Sequence, residues 1–148
     1  VMARSKVWLA FIYERLEGDY RTCRKIIESI SLQEDVYFNL GVEVWKGALL
    51  GNEGKFTEAE AHLLRLADQI EKENYDWYLL FSTRVSLCSI YLGTHQPAKA
   101  SGYYTAAEKL LEGGPHAFSK RSLIWLQERF VSERLSGQVP AGSLAEWR

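Results

Sequence analysis

The three histidines are the side chains of this sequence best suited to metal binding or proton transfer, and they stand far apart. His62, His95 and His116 fall on separate predicted elements, with no two of them at the spacing of metal ligands. A surface or helix-capping role is favoured over catalysis for each of them. The sequence therefore predicts no metal site and no cofactor.

Carboxylates offer a second route to chemistry, because two neighbouring acids can act as general acid and base. The acids concerned lie on one predicted helix: Glu58, Glu60, Glu71 and Glu73. Their arrangement is more typical of a solvated helix face. The segment 113–115 is glycine-rich, but it lacks the Lys and Ser or Thr of a phosphate loop and predicts a helix end. Without a nucleophile, base or metal set, an enzyme is the least favoured class of function.

The two cysteines, Cys23 and Cys88, each take the small position of a helical stripe. Free buried thiols are favoured there over a disulfide or a metal site. The 148 residues carry a net charge of -1, which gives no general attraction to nucleic acid or to anionic membranes. No apolar run approaches the roughly 20 residues of a membrane span. Nothing at the N-terminus reads as a secretory signal, so we expect a cytoplasmic chain.

The only basic cluster surrounds the first predicted turn. Arg21, Arg24 and Lys25 lie near Arg15, but they alternate with acids. A helical-repeat protein that binds RNA would carry a basic stripe through every unit. We therefore expect no direct contact with nucleic acid.

Apolar residues recur at helical spacing along most of the chain and predict an all-α fold of about seven helices. The first helix carries an apolar face made of Val7, Trp8, Phe11, Ile12 and Leu16. The predicted helices cover about 4–17, 20–30, 32–50, 57–73, 77–92, 97–112 and 116–135. Ser31 with Glu34, and Thr57 with Glu60, predict capping boxes at two helix starts. Pro97 suits a first helical turn, and 74–76 and 113–115 predict helix ends.

One pattern recurs in the second helix of each predicted pair. A small residue, Cys23, Ala59 or Ala100, follows a turn and precedes apolar residues four and seven positions later. A small side chain lets a neighbouring helix approach closely, so we expect Ala59 and Ala100 to be buried where paired helices cross.

These three positions are 36 and 41 residues apart, and the pattern resembles the tetratricopeptide repeat family. That family shows Trp-x2-Leu-Gly-x2-Tyr followed by Ala-x3-Phe. The matching residues are Leu87, Cys88, Tyr91, Ala100, Tyr104 and Ala107; Gly47, Leu50, Ala59 and Leu63; and Cys23, Ile27 and Ile30. The spacing exceeds the usual 34 residues, and the closing proline is missing from the first two units. Longer units of this kind are similar to the sensor arms of bacterial transcription activators of the maltose-regulator class.

The resemblance implies one helical-repeat domain, 1–148, stacked as a right-handed superhelix. Its units would cover about 4–31, 32–74, 76–113 and, in part, 115–148. A capping box at 143–146 stands too near the last residue for its helix to form, which favours a fragment of a longer protein over a native short C-terminus. In a fragment, the last helix would expose Leu123, Leu126, Phe130 and Val131.

The resemblance also implies a concave groove lined by the first helix of each pair. Its positions are Trp8, Ile12 and Arg15; Val44, Ala48 and Gly51; Val85, Ser89 and Leu92; and Gln127, Val131 and Arg134. The family's carboxylate clamp needs Lys, Arg and Asn, whereas this sequence has Trp8, Ile12, Trp45, Ser82 and Ser86 there. A chaperone-tail adaptor is therefore not expected.

A mostly apolar groove indicates a non-catalytic module that binds a peptide, a protein segment or its own parent chain. The alternative is a ligand-sensing arm of a transcriptional regulator that binds a small effector. In that arm Trp8, Trp45, Tyr91 and Trp125 would stack on the effector, although core packing accounts for such aromatics more often.

Overall fold

The computed structural model describes residues 2–31, 34–73, 77–112 and 117–132, which contain helices and no β-strand. The predicted all-α class and the number of helices are confirmed. The helices are α1 (Met2–Ile12), α2 (Tyr20–Glu28), α3 (Val36–Asn52), α4 (Phe56–Lys72), α5 (Trp77–Gly93), α6 (Pro97–Lys109) and α7 (Ala117–Ser132). A π-helical turn, Tyr13–Glu17, continues α1. None of the helices in these ranges is long and apolar enough to cross a bilayer.

Aspartates cap the starts of two helices, α2 and α3, and in α3 the aspartate takes the place of a predicted capping box. The Asp19 carboxylate accepts a hydrogen bond from Thr22 N at 3.0 Å and caps α2. The predicted box at Ser31 is wrong, because α3 begins after Asp35, whose carboxylate accepts from Phe38 N at 3.1 Å. Asp and Ser are about equally good helix N-caps, so neither Ser31 nor Asp35 is favoured by residue type alone. Asp35 caps α3 because it immediately precedes the first helical residue.

Whereas α3 starts later than predicted, α4 starts one residue earlier, at Phe56. Ala59 N donates to Lys55 O at 3.0 Å, which places Thr57 inside the first turn. The predicted box of Thr57 and Glu60 is therefore wrong. Pro97 does begin α6, as predicted. The predicted helix ends at 74–76 and 113–115, and the capping box at 143–146, lie outside the described residues.

The chain forms two compact units, residues 1–69 and 70–148. In the first unit, α2 packs against α1 and α3. A core of small and branched side chains lies among these helices, namely Ala10, Cys23, Ile27, Val42 and Leu49. The four repeat units and the superhelix implied by the resemblance stay predictions.

Gly47 of α3 lies directly against Leu63 of α4 in the first unit. A Cβ atom at Gly47 would lie 2.6 Å from Leu63 Cδ2 and 2.7 Å from Leu63 Cγ. Ala59, one turn earlier on α4, has no exposed surface, as predicted. The missing side chain of Gly47 is therefore what lets α3 approach the Leu63 side chain of α4 so closely.

In the second unit, α5 packs against α6 and α7. Ala100 is fully buried, which confirms its prediction. The expected exposed face of α7 is wrong, because Leu123, Leu126 and Phe130 have no accessible surface. The Phe130 ring meets the Tyr104 ring edge-on at 6.1 Å between centroids, so this face packs inward on its own unit. The Val131 side chain lies outside the described part.

An exposed apolar face on the first helix

The helix α1 is apolar on two opposite sides, and only one of them is buried. Ala10 lies in the core of the first unit, with Val7 and Tyr13 packed against it. The opposite side exposes five large apolar side chains: Trp8, Leu9, Phe11, Ile12 and Leu16. We call these five residues the outer face. The sequence prediction of a single apolar face on this helix therefore needs correction, because most of its members point to solvent.

Trp8 and Leu16 are the most exposed members of the outer face, with 69% and 78% of their surfaces accessible. The Trp8 and Phe11 rings meet edge-on at 6.1 Å. Of the eleven large apolar side chains exposed in the described ranges, these five are contiguous on one helix. Soluble monomers expose single apolar residues routinely but contiguous patches of this kind much less often.

The π-helical turn keeps the outer face in line. Residues four apart drift steadily around an α-helix of 3.6 residues per turn. A π-helical turn bonds residues five apart, is wider and reverses that drift. Trp8, Ile12 and Leu16 therefore form a nearly straight row along the axis. The turn ends at Gly18, whose φ of 64° is a left-handed conformation that glycine adopts without strain.

A buried carboxylate fixes the π-helical turn to α3. The Glu14 side chain accepts from Trp45 Nε1 at 2.6 Å and from Asn52 Nδ2 at 2.8 Å, one bond to each oxygen. A buried carboxylate is tolerated only when such donors replace its water. Lys6 Nζ donates to Ser29 O at 2.8 Å and ties the other half of α1 to the end of α2. The outer face is thus carried by a helix held in place near both ends.

A salt bridge links α2 to the C-terminal end of α3 in the first unit. The Arg24 guanidinium donates to both Glu53 oxygens, at 2.8 and 2.5 Å, and lies 3.5 Å from Glu28. The hydrogen bonds and charge of Arg24 lower the pKa of Glu53. The positive charge of Arg24 is thus balanced by the carboxylates of Glu53 and Glu28, so the predicted basic cluster is less positive than its sequence suggests.

The structure separates the groove residues predicted in the first unit. Trp8 and Ile12 are exposed on the outer face, whereas Ala48 and Gly51 are partly buried. Val44 is a core side chain with 5% of its surface accessible, so its assignment to the groove is corrected. It belongs to the inward side of α3. The Arg15 side chain lies outside the described part.

In the second unit, the predicted groove residues Val85, Ser89 and Gln127 are partly buried. Leu92 is fully buried and is also corrected to a core residue. Ser89 is already bound within the unit, because Arg129 of α7 donates to its hydroxyl at 2.5 Å. The remaining positions, the Val131 side chain and Arg134, lie outside the described part of the chain.

Of the aromatics that a sensing arm would use, two are engaged inside their own units. Trp45 donates to Glu14, and Tyr91 is buried and stacked on Tyr103 at 5.5 Å between ring centroids. Trp8 and Trp125 are exposed, and the Trp125 ring lies 5.3 Å from the Arg129 guanidinium. Of the four, these two offer the most exposed surface for a ligand to stack on.

The thiols and imidazoles show no reactive arrangement in the described ranges. Cys23 and Cys88 are buried and free, and burial raises the pKa of their thiols to about 11 and about 12. His62 lies 2.8 Å from Glu43 O through its Nε2 atom. Across the described ranges, no group of three or more His, Cys, Asp and Glu residues could hold a metal ion.

Sequence reasoning missed Glu14 and the exposure of Leu9, Phe11 and Leu16. The one available signal is that apolar residues occur all around α1, because a helix of a small protein rarely buries every side.

Comparison with known proteins identifies no family for the chain. No protein-family model matches it, and neither a curated protein nor a solved structure matches it significantly.

Proposed function

We propose that this chain is a non-catalytic interaction module that binds an apolar peptide or protein segment. The observation that supports the proposal is the outer face, a contiguous row of exposed aromatic and aliphatic side chains on a helix anchored through Glu14. Binding energy at protein interfaces concentrates in a few aromatic and apolar anchors. Trp8, with its large exposed ring, is the leading anchor.

A partner of this face would be held mainly by apolar burial. An amphipathic helix fits best, since its residues at i, i+4 and i+8 would lie along the row of Trp8, Ile12 and Leu16. We expect binding to depend only weakly on salt, because screening acts mainly on exposed charge pairs. Val85 of α5 is kept as a second test position from the predicted groove.

The experiment is selection from a random peptide library against the immobilised protein and its Trp8→Glu variant. A matched control is Leu64→Glu, which places the same charge at an exposed apolar residue on α4. Circular dichroism verifies folding. We expect the selected peptides to carry apolar residues at helical spacing and to bind the wild type and the control but not Trp8→Glu.

Three results would count against the proposal. Equal binding of every selected peptide to wild type and Trp8→Glu would remove the outer face as the site. Loss of peptide binding in Val85→Glu but not in Trp8→Glu would indicate that the binding site is on α5. Failure to enrich any peptide would leave the chain without the activity proposed for it.

A further inference from the structure

The outer face is large enough to support a specific interface with a copy of itself. Its five partly exposed side chains present on the order of 500 Å² of apolar surface, since one aromatic side chain alone offers about 150 to 250 Å². Two copies of one patch would together bury on the order of 1,000 Å², the size at which specific interfaces begin. The patch lies on α1 and on the π-helical turn that continues it.

We propose that the outer face is the contact surface of a symmetric homodimer, in which α1 of one copy packs antiparallel against α1 of a second copy. This inference rests on the proposed function and names the partner of the same surface. Two-fold dimers are by far the commonest assemblies of soluble proteins, and they use one self-complementary patch. A two-fold axis perpendicular to α1 makes the paired helices antiparallel.

The order of side chains along α1 suits this pairing. With the axis between Leu9 and Ile12, Leu9 of one copy faces Ile12 of the other. Ser5, a small exposed residue, then faces Leu16, which protrudes furthest. Small residues opposite large ones let two helices interlock. Trp8 lies beside the centre and would be buried on both copies, where truncation is most damaging.

The experiment measures the mass of the full chain by analytical ultracentrifugation over a wide concentration range. We expect a shift from one copy to two copies as concentration rises. Leu9→Glu and Ile12→Lys should each weaken self-association at least about tenfold, because each buries unpaired charges at the centre. Leu64→Glu on α4 is the control and should associate like the wild type.

Mixing the two variants tests the antiparallel register. In a mixed pair, the Leu9→Glu carboxylate faces the Ile12→Lys ammonium, so an equimolar mixture should recover association that neither variant shows alone. Circular dichroism of each variant verifies that folding is intact. If the outer face binds a partner of any other kind, mixing the two variants would not restore that binding.

The outcomes separate the two proposals. A wild-type chain that stays a single copy at every concentration overturns the dimer. If that single-copy chain still binds the selected peptides through Trp8, the proposed function survives. A dimer unaffected by either substitution overturns the outer-face contact. A dimer lost in both variants and not restored on mixing overturns the antiparallel pairing.

Discussion

Replacing Gly47 by alanine tests the close approach of α3 to α4. The new Cβ atom would lie 2.6 Å from Leu63 Cδ2, 2.7 Å from Leu63 Cγ and 3.1 Å from His62 Cδ2. Contacts below 3.0 Å force something to move. Leu63 is fully buried, and its Cγ atom can move only if the whole side chain or the backbone shifts.

Two opposing effects set the size of the change. Alanine is favoured over glycine inside a helix by about 1 kcal/mol. Overpacking a filled core costs about 1 to 3 kcal/mol. Gly47→Ala should therefore lower the free energy of unfolding by up to about 2 kcal/mol, despite the gain in helix propensity.

Gly102 provides the matched control within α6. It is exposed, and a Cβ atom there would meet nothing within 4 Å. Gly102→Ala should raise the free energy of unfolding by about 1 kcal/mol, which is the propensity gain alone. Urea unfolding followed by circular dichroism compares both variants with the wild type.

A double-mutant cycle identifies the partner. In a Leu63→Ala background the two Leu63 atoms are gone and only the 3.1 Å contact with His62 Cδ2 remains, so the effect of Gly47→Ala should shift towards the stabilising change at Gly102. The reasoning fails if Gly47→Ala stabilises the wild-type chain as much as Gly102→Ala does. That outcome would mean that the two helices are further apart than the structure places them.

Three further predictions concern single side chains. Ala100→Leu should lower the free energy of unfolding by about 1 to 3 kcal/mol through overpacking, and an unchanged melting temperature would contradict the packing of α5 on α6. The Tyr104 hydroxyl is buried with no hydrogen-bond partner in the described part, so Tyr104→Phe should stabilise the chain by about 1 kcal/mol in urea unfolding, whereas a loss would reveal a partner. Arg24 lowers the pKa of Glu53 below its ordinary value of 4.5. The ionised Glu53 carboxylate therefore stabilises the fold above pH 4.5, and this stabilisation is lost as the pH falls through the lowered pKa. The stability gap between wild type and Glu53→Gln should narrow as pH falls below 4.5, and a constant gap would refute the assignment.

The sequence predicted the helices well because turn residues such as Gly18, Gly54 and Pro97 separate the apolar-rich stretches, even where those stretches, as on α1, show no single apolar side. Helix starts were less certain, since Ser31 and Asp35 compete as caps and only the backbone decides between them. Glu14 could not be recognised as buried, because its donors Trp45 and Asn52 are 31 and 38 residues away in sequence. Such a pairing appears only when α1 and α3 are brought together.

The groove was harder to predict for a different reason. The predicted groove positions depend on a resemblance to a family whose repeats are shorter than the spacing in this sequence. Val44 and Leu92 proved to be core residues, because the side of a helix that faces a neighbour depends on helix rotation as well as on position. On α1, apolar residues on both sides left no periodic signal to tell the buried side from the exposed one.

The π-helical turn has a consequence for changes in chain length. Such a turn holds one residue more than the same stretch of α-helix would. Deleting one residue from Tyr13–Glu17 would leave the number of residues that an ordinary α-helical turn holds, so Trp8 and Ala10 would keep their sides of α1. Deleting one residue from the α-helical part of α1 would instead rotate the residues before it by about 100°. The π-helical turn is therefore the place where the first helix tolerates a change of one residue in length without turning the outer face away from a partner.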